Sequence, residues 1–314
     1  MKRATSAAAT GILGRMNANF HGRTGLTKRL GALTVLVAGL VAGSVAAPAV
    51  AHEDSVDLVV LGDSYSAGIG AGTLMDSTVL PGANCGITDS GYAEALEERR
   101  DAVNATNAAC SGAKALVDID DDPDVPDVPD QILAATDDLG EHTDLVAITA
   151  GGNDVSFGTI IYACAKLTLK DCNDAVAGAV FVAEKQVAPA LEKDYKLIRN
   201  EAPDATIVAL GYPHLFSTEG ATASPLSPEA AKVFNDGVDT LNTIIERTAE
   251  DSGSKVDYVD VTKRFRNHGI GSSEPWVNFD PTNLQHPNNF HPNEKGYENG
   301  YAKVLKPVVR SLRH

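Results

Sequence analysis

The sequence has few aromatic residues and a deficit of positive charge. Aromatic side chains make up 5% of its 314 residues, with a single Trp, and 26 Lys and Arg stand against 42 Asp and Glu, giving a formal net charge of −16. Proteins bind nucleic acids and anionic lipids chiefly through clustered Lys and Arg. The charge balance therefore argues against either as the main partner, and it favours a protein that stays soluble.

No segment is apolar over the roughly 20 residues that a membrane-spanning helix needs. Residues 1–51 contain six Lys and Arg and no acidic residue, and their apolar stretch, Gly31–Val45, is followed by A-x-A sequences ending at Ala49 and Ala51. These features are typical of a secretory signal peptide. We therefore predict a signal peptide over residues 1–51, secretion, and a single mature domain over residues 52–314. The mature part carries 20 basic and 42 acidic residues, a net charge of −22.

Cysteine is also scarce, and all four cysteines lie in the mature part: Cys85, Cys110, Cys164 and Cys172. An even number in an exported chain favours two disulfides, for which three pairings are possible. Zinc is the alternative, but the chain has no C-x-x-C spacing and no His near either pair. We expect no metal and no cofactor.

Apolar runs alternate with helical patterns along the mature chain. Strands are predicted at Val56–Leu61, Leu145–Thr149, Thr206–Leu210 and Val256–Val261, with a weaker candidate at Ala102–Ala105. Helices are predicted at Tyr92–Arg100, Gln131–Leu139, Ala175–Asn200 with a kink at Pro189, from the N-cap Ser227 to Asp251, and at Glu294–Leu312. This alternation predicts an α/β fold, a three-layer sandwich around a mostly parallel sheet, with ligands bound at the carboxyl ends of the strands.

Two long irregular stretches interrupt these patterns. Asp118–Asp130 holds seven Asp and three Pro, but it lacks the residue order and the turn Gly of a calcium loop, so we predict a solvated loop. His268–Asn293 is rich in Asn, Pro and Gly and holds three His. Irregular segments of that length in a compact domain are often functional.

Residues suited to ester chemistry follow the predicted strands. Gly62-Asp63-Ser64 ends the first strand and offers a nucleophilic hydroxyl, although Ser66 breaks the G-x-S-x-G pattern. Asn153, in Gly151-Gly152-Asn153-Asp154 after the third strand, can point an amide N–H at a developing oxyanion. Gly112 lets a backbone N–H approach closely. Each motif alone is equally typical of a turn or a helix cap.

His291 lies in Phe290-His291-Pro292-Asn293, directly before the last predicted helix. A lone His is more often structural than catalytic. This one lies in an irregular segment, from which it could reach across the crevice at the strand ends. Reading Asp280, His286 and His291 as metal ligands is disfavoured because their spacing fits no usual zinc pattern. His214 is predicted to be a loop residue, with a place in the pocket as the alternative.

In this order, these segments resemble the conserved blocks of the SGNH/GDSL hydrolase family. The stretch Val60–Gly68 and the Ala-Cys-Ser-Gly turn at residues 109–112 resemble most the actinobacterial secreted esterases and lipases. The resemblance implies the flavodoxin-like SGNH fold and a carboxylic ester hydrolase in which Ser64 is the nucleophile and His291 the base. It implies an oxyanion hole formed by the Ser64 and Gly112 N–H groups and the Asn153 side chain. It also implies a Cys85–Cys110 disulfide, which leaves Cys164 with Cys172.

One position departs from the family pattern. Many members have Asp three residues before the His, where this chain has Asn288, and a neutral amide cannot supply the charge that stabilises imidazolium. Some members of the actinobacterial branch use a Ser–His dyad with a backbone carbonyl instead. We predict that the carbonyl of Asn288 or Asn289 accepts the His291 Nδ1 proton, with Asp280 as a distant alternative.

The leading functional prediction is an esterase or lipase, with a carbohydrate O-deacetylase or a phospholipase as alternatives on the same fold. The low aromatic content and the lack of a long apolar lid favour soluble or short-to-medium-chain esters. A non-catalytic surface-binding protein would be expected to lack the nucleophile, the base or the oxyanion donors. We expect a monomer that acts on a small-molecule or lipid ester without stable insertion into a membrane.

Overall fold

Five parallel strands form a single sheet in the order β2-β1-β3-β4-β5. The strands are β1 Val56–Gly62, β2 Val103–Asn107, β3 Leu145–Thr149, β4 Thr206–Leu210 and β5 Val256–Val259. All five residues of β3 are buried, as expected for a central strand of a covered parallel sheet. The order is that of the flavodoxin-like doubly wound fold, so the α/β prediction is confirmed. Its ligand crevice lies between the carboxyl ends of β1 and β3, where the strand order reverses.

The structure is a computed structural model that describes residues 55–97, 103–116, 125–219 and 224–313. These belong to one compact unit, Ala51–His314. The predicted signal peptide lies outside the described residues, as does most of the Asp-rich stretch. Among the helices that are described, none combines the length and apolar character needed to cross a bilayer.

Helices connect the strands and follow them in the chain. Their bounds are α1 Ser64–Ala67, α2 Tyr92–Glu97, α3 Val128–Ala134, α4 Phe157–Lys166, α5 Leu169–Val182, α6 Ala188–Glu201, α7 Pro228–Asp251, α8 Thr262–Phe265, α9 Glu294–Gly296 and α10 Ala302–Leu312. The N-cap prediction for α7 is confirmed, because the Ser227 hydroxyl accepts the Ala230 N–H at 3.2 Å and Pro228 occupies the first turn.

The helix predicted from Ala175 begins earlier, at Leu169. Thr168 and Asp171 form a capping box there, each side chain accepting the other's backbone N–H, at 3.2 and 3.1 Å. A π-helical turn, Ala183–Val187, joins α5 to α6 just before Pro189. Pro189 has no N–H to donate to the preceding turn, so the irregularity lies next to the predicted kink.

Helix α4 has no counterpart in the prediction from sequence. It begins after Ser156, whose φ of 57° is left-handed and whose side chain makes no capping bond, so the usual sequence signal of a helix start is missing. A disulfide joins Cys164 of α4 to Cys172 of α5, and a second joins Cys85 to Cys110. This is the pairing that the family resemblance implies. The α4–α5 pair is thus a cross-linked helical hairpin.

Candidate active site

The motifs after β1 and β3 meet at the topological switch point. Strand β1 passes so close to β3 that a Cβ on Gly62 would lie 2.0 Å from the Thr149 carbonyl oxygen, and Gly62 has a φ of 114°. A residue with a side chain is excluded at this point. The turn that follows, residues 62–68 (the nucleophile turn), therefore leaves the sheet tightly against the end of β3. It places Ser64 beside the segment that carries Asn153.

Ser64 and His291 are 227 positions apart in the chain and are in hydrogen-bonding contact in the fold. The distance from Ser64 Oγ to His291 Nε2 is 2.8 Å. Ser64 is the first residue of the short helix α1, whose N-cap Asp63 accepts the Tyr65 N–H at 3.0 Å. His291 comes from residues 276–293, here called the histidine loop, whose backbone bonds include Asn278 N–H to the His291 carbonyl at 2.9 Å.

Gly70 allows the histidine loop to pack against the chain just after the nucleophile turn. A Cβ at this position would lie 2.4 Å from the Pro292 carbonyl oxygen and 3.0 Å from the His291 Cβ, and the φ of Gly70 is 103°. The Asn278 amide also donates to the Gly70 carbonyl at 2.9 Å. The two segments that carry Ser64 and His291 are thus held together through the backbone of Gly70.

Asp63 is buried and joins three strand ends. Its carboxylate accepts hydrogen bonds from the Thr149 hydroxyl at 2.7 Å and from the Tyr212 hydroxyl at 2.6 Å. Tyr212 in turn accepts the Gly152 N–H at 3.1 Å. Burial raises the pKa of Asp63 to about 6, although these hydrogen bonds act in the opposite direction. Tyr212 and Thr149 were not predicted from sequence to have roles in the site, although each lies at the carboxyl end of a strand.

The three predicted oxyanion donors line the same cavity as Ser64 and His291. Among the described residues, neither the Ser64 N–H nor the Gly112 N–H has a hydrogen-bond acceptor. Gly112 has a φ of 92°, which favours glycine. The Asn153 amide donates one N–H to the Ala113 carbonyl at 2.8 Å, which leaves its second N–H for a ligand.

Asp154 holds the segment that carries Gly112. Its carboxylate accepts the N–H groups of Ala115 and Leu116 at 3.1 and 2.9 Å. Because Asn153 binds the neighbouring Ala113 carbonyl, adjacent side chains clamp this segment to the end of β3. Asp154 therefore positions Gly112 relative to Asn153. Asp154 belongs to the Gly151–Asp154 motif, but its role in positioning Gly112 was not predicted from sequence.

His291 is half-buried, and desolvation of its ring lowers its pKa to about 4, so the ring is neutral at neutral pH. The backbone of Asn289, Pro287 and Asn288 opposes this shift in part. Even so, Nδ1 makes no hydrogen bond of normal geometry within the described residues. The Asn288 carbonyl accepts the backbone N–H of His291 instead, at 3.2 Å, because a tight turn spans residues 288–291. The backbone of residues 287–289 lies close enough to the ring to act on its pKa, and the orienting role of Asn288 or Asn289 stays a prediction.

The other candidates of the sequence analysis have local partners. The Asp280 carboxylate accepts the N–H and the hydroxyl of Thr282, at 2.8 and 2.6 Å, which lowers its pKa. His286 Nδ1 accepts the Asn288 N–H at 3.2 Å. His214 pairs with Asp239 at 2.7 Å and does not line the cavity around Ser64, which agrees with the prediction of a loop residue.

Tyr65 links the two halves of the site. Its hydroxyl donates to the Phe290 carbonyl at 2.6 Å, and its ring lies 5.5 Å from that of His291. Phe290 has a φ of 66°, an uncommon conformation for a residue with a side chain, which aims its carbonyl at Tyr65. This contact was not predicted from sequence. The one local feature that could have indicated it is the aromatic hydroxyl of Tyr65 directly after the nucleophile.

The cavity beside Ser64 has a volume of about 220 Å³ and is mostly apolar. Polar groups gather at the catalytic end, and aliphatic and aromatic side chains from α4, α5, α7 and two loops form the remainder. The apolar lining comprises Val155, Phe157, Ile160, Val176, Ala179, Val180, Ala183, Leu215, Phe234, Val238 and Leu241. Such a cavity suits a hydrocarbon chain attached to a carbonyl group held at Ser64.

Comparisons with known proteins agree with this geometry. The sequence profile of the GDSL-like Lipase/Acylhydrolase family matches residues 60–298. A lipase of Streptomyces rimosus is 29% identical over 267 residues, covering 85% of this chain and 92% of the relative. The crystal structure of the S. rimosus extracellular lipase superposes with a TM-score of 0.68 at 30% identity, covering 81% of this chain and 99% of that one. The crystal structure of phospholipase A1 from Streptomyces albidoflavus also superposes with a TM-score of 0.68, at 29% identity, covering 81% of this chain and 99% of that one.

Proposed function

The chain belongs to the GDSL-like lipase/acylhydrolase family and is a carboxylic ester hydrolase, and from this premise we propose that it is a secreted lipase or esterase that works through a Ser64–His291 dyad and an acyl-enzyme. The observation that carries the proposal is the 2.8 Å contact between Ser64 Oγ and His291 Nε2 at the polar end of an apolar cavity. Acyl transfer requires at least a nucleophile and a base within hydrogen-bonding distance of each other, as these two side chains are.

In the first half-reaction the Ser64 oxygen bonds to the ester carbonyl carbon while His291 Nε2 takes the hydroxyl proton. The carbonyl oxygen becomes an oxyanion, which the Ser64 and Gly112 N–H groups and the second Asn153 N–H bind. The intermediate collapses as the C–O bond to the alcohol breaks. His291 returns its proton to the leaving oxygen, which releases the alcohol and leaves the acyl group on Ser64.

In the second half-reaction a water molecule attacks the acyl carbon and gives one proton to His291. The same three donors bind the oxyanion again. The bond between the acyl carbon and Ser64 Oγ then breaks, the proton passes from His291 to Ser64, and the carboxylic acid leaves. The cycle consumes one water and restores both side chains.

The mechanism needs His291 neutral at its start, and burial supplies that condition by lowering its pKa. Burial has a cost in the next step, because imidazolium forms in a site with no carboxylate against Nδ1 among the described residues. Hydrogen bonding from Nδ1 to one of the backbone carbonyls at residues 287–289 as the charge develops would lower this cost. We therefore keep the backbone-assisted dyad as the proposed arrangement.

The apolar cavity favours a substrate with a hydrocarbon acyl chain over an acetylated sugar. An acetyl group would leave most of its apolar walls without a partner, whereas each buried methylene contributes about 0.8 kcal/mol. A phospholipase activity is the second candidate. It rests on the similarity to the phospholipase A1 of S. albidoflavus, which equals in TM-score the similarity to the S. rimosus lipase.

The test is hydrolysis of p-nitrophenyl esters from acetate to palmitate, beside a diacyl phospholipid, by wild type and Ser64→Ala. We expect wild type to prefer acyl chains longer than acetyl and the variant to be inactive. Highest activity on acetate would favour the deacetylase alternative instead. Turnover that survives in Ser64→Ala would contradict the assignment of the nucleophile. Secretion is tested separately, by sequencing the N-terminus of the protein recovered from the medium.

A further inference from the structure

Half of the residues of helix α5 are exposed, and its apolar face lies against the cavity. Of its fourteen residues only Cys172 is fully buried. Its cavity-lining residues recur at intervals of three and four, as Val176, Ala179 and Val180, and Ala183 continues the pattern in the π turn. This spacing forms one helical stripe. In an ordinary surface helix such a stripe is buried in the core, whereas here Val176, Ala179 and Val180 stay half-buried because the space beside them is open.

Helix α7 presents a matching stripe. Its cavity-lining residues are Phe234, Gly237, Val238 and Leu241, which repeat the same intervals. The apolar part of the cavity, here called the slot, therefore has one wall from α5 and one from α7, and α4 and two loops complete its lining.

The two walls are in close contact at Val176 and Gly237. A Cβ built on Gly237 would lie 2.8 Å from the Val176 Cγ1, closer than real side-chain atoms approach. Gly in the middle of a 24-residue helix lowers helix stability relative to Ala, and the close contact with Val176 explains why a larger residue does not fit here. Gly178 in α5 offers the contrast, because a Cβ there would meet nothing within 4 Å.

The contact lies between two residues of α7 that approach the catalytic segments, Leu241 and Phe234; Phe234 contacts Phe157, whose ring lies 6.2 Å from that of Phe290. Leu241 packs near the end of β3, where its Cδ1 is 3.8 Å from the position of a Cβ on Gly151, two residues before Asn153. Gly237 is four residues earlier in α7, about 6 Å along the helix axis. Ser64, Asn153, Val176 and Gly237 line the same cavity, so an acyl chain whose carbonyl group is held by Ser64 and Asn153 would lie along this part of α7.

We propose that the Val176–Gly237 contact sets the length of acyl chain that the enzyme accepts, which makes Gly237 and Val176 specificity-determining residues. This proposal rests on the proposed function, since it assigns the slot to the acyl chain of the substrate. A methyl group at 237 fills the slot at this contact and excludes the distal methylenes of longer chains. Removal of the Val176 side chain to Cβ widens the same point and admits them.

The experiment measures kcat/KM for p-nitrophenyl esters from acetate to palmitate with four variants. Gly237→Ala should lose on the order of tenfold or more on octanoate and longer esters while acetate hydrolysis stays within about twofold of wild type. Val176→Ala should shift the preferred chain toward longer acyl groups. The double variant Gly237→Ala/Val176→Ala should regain most of the loss, because the second change removes the atoms that the first one meets. Gly178→Ala is the matched glycine control and should leave the profile unchanged.

An unchanged chain-length profile in both single variants would overturn the proposal. The proposal would also be overturned if Gly237→Ala lowered kcat/KM equally for every ester and the double variant did not restore it, because that result indicates a general packing defect. If Gly237→Ala does not fold, the shift expected of Val176→Ala still decides the question. A wild-type protein inactive on all esters would count against the proposed function itself. An active wild type whose preferred acyl chain length does not change in any of the variants counts against this inference alone.

Discussion

Ser64 and His291 are held in one site by two regions of different construction. The nucleophile turn lies on the sheet, and its polar side chains bond to residues far along the chain: Asp63 to Thr149 and Tyr212, and Ser66 to Tyr92 and Thr149. The histidine loop is irregular and is held largely by asparagine amides. Asn289, for example, accepts the Asp280 N–H at 2.7 Å and donates to the Asn283 carbonyl at 2.9 Å.

The two regions also differ in charge. The nucleophile turn buries a carboxyl group, Asp63, among hydroxyl donors, whereas the histidine loop offers His291 no carboxylate among the described residues. The acid that many family members place beside the base is absent here, and the buried acid that is present lies on the side of the nucleophile. A serine hydrolase site can thus be fixed by charge-assisted bonding on one side and by backbone turns on the other.

The largest effects should come from removing either reacting group. Ser64→Ala and His291→Ala should each lower kcat by about 10⁴ or more, since nucleophile and base act as a unit. The measurement is ester hydrolysis under saturating substrate, with labelling by a fluorophosphonate as a second readout. If His291→Ala kept more than about a hundredth of wild-type kcat, the two regions would not form a dyad.

Asp63→Asn tests the charged side of the comparison. An amide cannot accept all the hydrogen bonds that the carboxylate receives, so we expect kcat to fall by roughly 10² and the free energy of unfolding by about 1–3 kcal/mol. Because the pKa of Asp63 is raised in the folded state, the folded protein holds this proton more tightly. The wild type should therefore lose stability relative to the variant as pH rises from about 4 to about 6. If the difference in the free energy of unfolding between wild type and Asp63→Asn were the same at pH 4 and pH 6, the raised pKa of Asp63 would be contradicted.

Tyr65→Phe cuts the hydrogen bond between the two regions. It leaves the Phe290 carbonyl without its donor, so we expect the free energy of unfolding to fall by about 1–2 kcal/mol. We also expect kcat to fall roughly tenfold, because the His291 ring is no longer fixed from this side. KM should change little. Tyr162→Phe is the matched control, since Tyr162 is 59% exposed and should tolerate loss of its hydroxyl. Equal effects in both variants would mean that Tyr65 does not position the histidine loop.

The smallest effect on rate should come from Asn288. Asn288→Ala should keep much of the activity, since its proposed contribution is a backbone carbonyl. Asn288→Asp adds the missing negative charge, which should raise the pKa of His291 and move the acid limb of kcat/KM upward from about pH 4. An acid limb that stays in place in Asn288→Asp would show that this side chain does not reach the imidazole.

Sequence patterns predicted the strands well because each buried strand is a local apolar run ending in Gly or small residues. They also predicted which residues meet at the strand ends, since each site motif follows a strand or precedes a helix. They did not predict α4, because Ser156 provides no cap, nor the bonds from Asp63 to Tyr212 and from Tyr65 to Phe290. Those partners are 149 and 225 positions apart, and no local pattern encodes such pairs.

The two disulfides bear on how the protein must be produced. One ends at Cys110, two residues before Gly112, and the other fastens α5, a helix with a single fully buried residue, to α4. The five strands contain no cysteine. In a chain made in a reducing cytosol we therefore expect the missing cross-links to weaken the loop of Gly112 and the α5 wall before the sheet. Recombinant yield and circular dichroism will then overstate the fraction of competent enzyme. A thiol titration of each preparation, carried out before any kinetic comparison, is the appropriate measure of its quality.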